Sequence, residues 1–112
     1  MSKKNLGKIG ENIALKYYQK NGYQLLAKNF FTRYGEIDLL LKKDNYYLAV
    51  EVKTRTNKKF GDAEECINHH KIQKMLTTCF IYQPQTEWHL ELLVINIQNN
   101  KALLKKYTLG DY

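Results

Sequence analysis

Apolar residues recur at helical spacing in two parts of the chain. The first pattern covers residues 6–21, and Gly22 behind it provides a C-terminal stop. Its apolar positions are Leu6, Ile9, Ile13, Ala14 and Tyr17. The second pattern covers residues 62–83, after a polar loop at 56–59 and before Pro84. The sequence is also compatible with a break in this helix near Asn68. Both patterns predict helices with one apolar face.

Shorter runs rich in aliphatic and aromatic residues predict five β-strands. They cover residues 23–32, 35–43, 46–54, 88–97 and 102–107, and turns are indicated at Asp44-Asn45 and Asn99-Asn100. The resulting order is α-β-β-β-α-β-β. Three consecutive strands followed by a helical crossover into later strands predict an α/β fold with a mixed central sheet flanked by helices. At 112 residues we expect a single domain, residues 1–112.

The Asp44-Asn45 turn sets the register of the second and third strands. A two-residue turn pairs Lys43 with Tyr46, which sets Asp38 opposite Glu51 and Glu36 opposite Lys53. Because alternate residues of a strand share a face, we expect one face to carry Glu36, Asp38, Leu40, Ala49, Glu51 and Lys53. The other face would carry Ile37, Leu39, Val50 and Val52. Four charged groups are thus predicted to cluster at one end of a hairpin.

Two interpretations of this cluster stay open from the residues alone. On an exposed hairpin face, Glu36 and Lys53 would form an ion pair of little energetic weight, and the facing acids would be tolerated. In a cleft, by contrast, the facing carboxylates of Asp38 and Glu51 would repel one another unless a proton or cation separated them. Hard divalent cations prefer such oxygen ligands, and the apolar neighbours Leu40 and Ala49 favour a covered face.

Positive charge is concentrated near the start of the chain. The net charge is +7 at pH 7; residues 1–33 hold seven Lys or Arg against one acid, whereas residues 75–112 hold three of each. A basic surface interleaved with tyrosines is typical of nucleic-acid binding, but a basic face that aids solubility fits equally well. The candidates for contact with phosphate are Lys8, Arg33, Arg55 and Lys71.

The remaining composition argues for a reduced, cytoplasmic protein. No apolar run reaches the length of a membrane span, and the N-terminus has no signal-peptide core. Cys66 and Cys79 are not paired in a Cys-x-x-Cys motif, so we expect free thiols and no cysteine nucleophile. The spacing of the cysteines and of His69, His70 and His89 disfavours a zinc site.

Three motifs together resemble a known family. They are Gly7-x-x-Gly10-Glu11, Gly35-Glu36-Ile37-Asp38 and Val50-Glu51-Val52-Lys53. In them the chain resembles the YraN-like family of uncharacterised bacterial proteins, of the restriction-endonuclease-like PD-(D/E)XK superfamily, and is similar to archaeal Holliday junction resolvases. Where relatives usually read Arg-Phe-Asp-Val after the second helix, this chain has His89-Leu90-Glu91-Leu92.

The resemblance implies a site and a reaction. Asp38, Glu51 and the backbone carbonyl of Val52 would ligate Mg²⁺ or Mn²⁺, Lys53 would orient or activate the attacking water, and Glu11 would add a further acid. The expected function is metal-dependent hydrolysis of phosphodiester bonds in DNA, branched or single-stranded. The related resolvases act as dimers, which makes a homodimer an option. The alternatives are a non-catalytic nucleic-acid-binding module and an adaptor that binds another protein.

Overall fold

The structure, a computed structural model, describes residues 2–56 and 67–112. Helix α1 (Lys3–Lys20) precedes strands β1 (Gln24–Thr32), β2 (Gly35–Lys43) and β3 (Tyr46–Arg55); helix α2 (His69–Tyr82) precedes β4 (Trp88–Gln98) and β5 (Lys101–Asp111). The predicted order of elements is confirmed. Two parts of the prediction lie outside the described residues: residues 57–59 of the loop, and residues 62–66 of the second helix, which include Cys66.

The strands form one mixed sheet in the order β1-β2-β3-β4-β5. The first three strands make an antiparallel meander, β3 and β4 run parallel, and β4 and β5 are antiparallel. The parallel pair requires a crossover, which contains α2. At the last hairpin, Asn99 and Asn100 adopt φ values of 51° and 61°, the left-handed conformation that a tight two-residue turn needs.

The sheet separates two hydrophobic clusters, one beneath each helix. On the α1 side, Ala14 and Tyr18 pack with Leu39, Leu41, Leu48, Val50, Leu93 and Ile95. On the α2 side, Met75 and Cys79 pack with Ile37, Leu40, Ala49, Trp88 and Leu90. The opposite faces predicted for Leu39 and Leu40 are therefore confirmed, and the fold is a mixed sheet between two helices.

Ile37 departs from its predicted face. It packs on the α2 side with Leu40 rather than on the α1 side with Leu39. Its partner in β1, Phe30, packs against the same cluster. Asn29, at φ 52°, stands just before Phe30, and the change of face occurs at this left-handed residue, which no alternation rule anticipates.

Helix α1 begins and buries its side chains differently from the prediction. The Ser2 hydroxyl accepts a hydrogen bond from the Asn5 N–H (3.1 Å), so the helix begins before residue 6. The buried positions are Gly10, Ala14 and Tyr18, spaced four residues apart. Ile9, predicted on the apolar face, is 36% exposed. The helix approaches the sheet at Gly10, which has no side chain and therefore does not contribute to the apolar pattern.

Helix α2 begins one residue after Asn68. The Asn68 side chain caps it by accepting a hydrogen bond from the Lys71 N–H (2.8 Å). The predicted helix wrongly included Ile67 and Asn68, which are not helical. This start aligns the first turn of α2 with the end of the sheet where β2 begins and β3 ends.

Candidate active site

The β2–β3 hairpin opens into a fork at its far end. Its predicted register holds from the Asp44-Asn45 turn to Leu39 opposite Val50. Beyond that point, the predicted pairs Asp38–Glu51 and Glu36–Lys53 are not part of the ladder. One Asp38 carboxylate oxygen instead accepts a hydrogen bond from the Val52 N–H at 2.7 Å. A side chain thus takes the place of backbone pairing where the strands part.

The two branches of the fork follow different neighbours. Ile37 and Glu36 stay paired with β1, whereas Glu51 and Lys53 run parallel with β4. The ladder between β2 and β3 ends at Leu39 opposite Val50, whereas β3 stays paired with β4 as far as Arg55 opposite Asn96. The space between the branches is therefore open to side chains.

A cleft of about 390 Å³ lies between this fork and α2. Its sheet side carries three acids, Glu36, Asp38 and Glu51, and its α2 side carries His70, Lys71 and Lys74. Tyr34 of the β1–β2 turn and Gly35 at the start of β2 also line it. An acidic wall therefore faces a basic wall across a space large enough for a small anionic group.

Asp38 lies half-buried in this cleft. Removal from water raises the pKa of its carboxyl above the ordinary value, and the hydrogen bond to Glu51 and the charge of Glu51 raise that pKa further. The Val52 N–H lowers the pKa by stabilising the carboxylate, and the charge of Glu11 makes the smallest contribution to raising it. Asp38 and Glu51 are therefore close enough to compete for a proton.

Glu51 has a cationic partner on α2. Lys71 Nζ lies 3.1 Å from Glu51 Oε2, and the two side chains are 42% and 16% exposed. We expected Lys71 to contact phosphate, and its ion pair with a proposed metal ligand was not foreseen. The spacing of His70, Lys71 and Lys74 along one side of α2 was visible in the sequence. Their position over the fork depends on the crossover.

Glu11 and Lys53 lie in a hollow next to the cleft. They line it together with Val52, Arg55 and Lys3. Lys53 is exposed and does not line the cleft between Asp38 and α2, although it was predicted to share their face. The structure thus brings Asp38 and Glu51 together and sets Glu11 and Lys53 beside them.

Gly10 holds α1 against the end of β3. A Cβ atom on Gly10 would lie 1.7 Å from the Thr54 hydroxyl oxygen and 2.8 Å from the Thr54 Cβ. Only glycine permits this approach, and Glu11 is the next residue. The Gly7-x-x-Gly10-Glu11 motif therefore has a physical basis, since it places an acid where its charge reaches Asp38.

The predicted phosphate-contacting residues lie around these two cavities. Arg33 is exposed on the β1–β2 turn, where its guanidinium donates to the Tyr34 hydroxyl (2.6 Å) and stacks on that ring at 4.8 Å. Arg55 lines the hollow and Lys71 the cleft, whereas Lys8 is exposed on α1 and lines neither. Phe31, which is 75% exposed beside this turn, was not predicted.

The donors at the fork suit a hard divalent cation. Two carboxylates from neighbouring strands approach each other, and carboxylate oxygens are among the ligands that Mg²⁺ and Mn²⁺ prefer. Over residues 2–56 and 67–112, no group of three or more His, Cys, Asp or Glu converges as a metal site. Asp38 and Glu51 are the acids at the fork that could hold such a cation, and Val52, whose carbonyl was predicted to join them, lines the adjoining hollow.

Other reactive side chains serve the fold. Cys79 is buried, and burial raises the pKa of its thiol to about 12, so it is no nucleophile at neutral pH. Trp88 is in the core and donates its indole N–H to the Gln83 carbonyl at 3.0 Å. His89 lies 2.5 Å from the Asp111 carboxylate and stacks on Tyr46 at 3.8 Å.

Neither α1 nor α2 combines the length and the apolar character that crossing a membrane requires.

Comparison with known proteins identifies the family. The profile of the uncharacterised protein family UPF0102 matches residues 10–98. The chain is 44% identical to a UPF0102 protein of Caldanaerobacter subterraneus subsp. tengcongensis over 111 residues, which cover 95% of this chain and 91% of the relative. It is 42% identical over 104 residues to a UPF0102 protein of Syntrophomonas wolfei, covering 88% and 90% of the two chains. The chain therefore belongs to the UPF0102 family, the YraN-like family that its motifs resemble.

Proposed function

We propose that this protein is a metal-dependent nuclease of the restriction-endonuclease-like PD-(D/E)XK type, acting in the cytoplasm on branched or single-stranded DNA. The observation that carries the proposal is the fork, which brings the carboxylates of Asp38 and Glu51 together opposite the basic wall of α2. Acids alone would repel a phosphodiester, and bases alone would merely bind it. Both walls together suit a reaction that needs a cation held by the acids and a phosphate held by the bases.

Each group has a role in this proposal. Asp38, Glu51 and the Val52 carbonyl would hold the cation, which when bound supplies positive charge that polarises the phosphodiester and favours deprotonation of water. Lys53 would orient the attacking water from the adjoining hollow. Lys71 and Lys74 would hold the phosphate and offset the charge that develops in the transition state.

Incubating the purified protein with branched, flapped, nicked and single-stranded DNA in Mg²⁺ or Mn²⁺ tests the proposal. We expect cleavage of at least one substrate, no cleavage in EDTA, and a loss of about 100-fold or more in Asp38→Asn and Lys53→Ala. Asp44→Asn makes the same chemical change at the turn of the same hairpin and should leave cleavage intact. Cleavage that survives unchanged in Asp38→Asn would refute the proposed site.

The second candidate function is binding of nucleic acid without catalysis. The observation in its favour is the Lys71–Glu51 ion pair, which satisfies one of the proposed metal ligands without a metal. A protein that binds DNA, yet cleaves none of the four substrates in either metal, would have this second function.

A further inference from the structure

The Lys71 ammonium forms an ion pair with Glu51, one of the two carboxylates proposed to bind the cation. Its Nζ lies 3.1 Å from Oε2 of Glu51, whose side chain is only 16% exposed. We propose that Lys71 and the divalent cation compete for Glu51, and that cation binding transfers Lys71 from Glu51 to a substrate phosphate. This inference rests on the proposed function and adds an order of binding to it: the cation first, then the nucleic acid.

The contacts of Lys71 permit this exchange without movement of the helix. The Lys71 backbone is fixed, since its N–H donates to the capping oxygen of Asn68 at 2.8 Å. Its side chain is 42% exposed and carries the ammonium on a flexible four-carbon stem. His70 and Lys74 line the same cleft, so a released Lys71 would join a wall that is already basic.

Electrostatics explains why the pair forms without the cation. Glu51 bears its charge in a partly desolvated cleft beside Asp38, and the Lys71 ammonium at 3.1 Å compensates that charge. A divalent cation between the carboxylates would offset it more strongly, and the ammonium and the cation would then repel each other. Lys71 would be left without its acid and close to the place of the substrate phosphate.

Calorimetric titration of the full chain with MnCl₂, without nucleic acid, tests the competition. Lys71→Met should bind Mn²⁺ roughly two- to fivefold more tightly than the unsubstituted protein, the factor expected for removal of one partly exposed ion pair. Lys71→Arg keeps a cation for Glu51 and should bind no more tightly than the unsubstituted protein. Lys20→Met, which removes a charge from the last turn of α1, controls for net charge and should leave the affinity unchanged.

Binding of DNA tests the transfer to phosphate. In Ca²⁺, fluorescence anisotropy of a labelled single-stranded oligonucleotide should show weaker binding by Lys71→Met than by Lys20→Met. Circular dichroism first establishes that each variant is folded, and Lys71→Gln serves in place of Lys71→Met if that variant is not.

The outcomes separate the two proposals. If Asp38→Asn abolishes Mn²⁺ binding but Lys71→Met binds Mn²⁺ no more tightly than the unsubstituted protein, the competition is wrong and the metal site stands. If Mn²⁺ binds more tightly to Lys71→Met while DNA binding is unchanged, the transfer to phosphate is wrong. If neither the unsubstituted protein nor any variant binds Mn²⁺, both proposals fail together.

Discussion

The surroundings of Asp38 act in opposite directions on the pKa of its carboxyl. The Val52 N–H stabilises its ionised form, whereas burial and the adjacent Glu51 favour the protonated form and together raise its pKa. A folded protein without a cation must therefore bear either a strained carboxylate or a bound proton at this position. Such costs are typical of functional sites, because groups selected for binding or catalysis are not selected for stability.

The raised pKa of Asp38 predicts that Asp38→Asn stabilises the protein at neutral pH in EDTA. Below about pH 4 the carboxyl is protonated in both the folded and unfolded chains and contributes nothing. As the pH rises, the unfolded chain releases its proton first, so the free energy of unfolding falls until Asp38 ionises in the fold. Asparagine avoids this loss, and it keeps an oxygen for the Val52 N–H and a donor for Glu51.

Urea unfolding at several pH values measures this effect. Asp38→Asn should be more stable than the unsubstituted protein by roughly 1–3 kcal/mol at pH 8, and the difference should vanish toward pH 4. Asp44→Asn, at the turn, provides the matched control and should show no such trend. A variant that is less stable than the unsubstituted protein at every pH would contradict the assigned cause of the pKa shift.

At the scale of elements, the site depends on where two strands part. The Asp44-Asn45 turn fixes the register near itself, so the pairing from Lys43–Tyr46 to Leu39–Val50 follows from the sequence. The fork does not, because β3 leaves β2 beyond Val50 while it stays paired with β4, a contact between residues far apart in the chain. The face of Ile37 was missed for a similar reason, since it changes at the left-handed residue Asn29 in the neighbouring strand.

The contact between α1 and β3 predicts opposite effects at the two glycines of the first motif. Gly10→Ala should destabilise the protein by about 1–3 kcal/mol, since the added Cβ would lie 2.8 Å from the Thr54 Cβ and force the helix outward. Gly7 has no atom within 4 Å of its added Cβ, so Gly7→Ala should gain up to about 1 kcal/mol from helix propensity.

Thermal or urea unfolding of the two glycine variants provides the measurement. In the double variant, Thr54→Ala should recover part of the stability that Gly10→Ala loses, because it removes the hydroxyl that lies 1.7 Å from the new Cβ. Equal effects of Gly7→Ala and Gly10→Ala would show that helix propensity, rather than the approach to Thr54, controls this part of α1.

Over the whole molecule, several basic residues lie around the cleft and the hollow at one end of the sheet. The excess of Lys and Arg in the first third of the chain was evident from composition, but composition could not say which basic residues lie together. The structure sets Lys3 and Arg55 in the hollow beside Lys53, and Lys71 and Lys74 across the cleft. Lys16 and Lys20 line a separate groove with Ile13 and Tyr17, so α1 carries basic residues at both of its ends.

This distribution predicts that the two ends of α1 contribute unequally to nucleic-acid binding. In Ca²⁺ at a fixed concentration, the affinity for a single-stranded oligonucleotide should fall steeply with salt, because binding of phosphates releases counterions. The double variant Lys3→Gln/Lys8→Gln should make the slope of log affinity against log salt shallower by about 1. Lys16→Gln/Lys20→Gln removes the same charge from the same helix at its far end and should leave the slope nearly unchanged. Equal losses from both pairs would mean that net charge alone attracts the nucleic acid, and the N-terminal end of α1 would then have no special part in binding it.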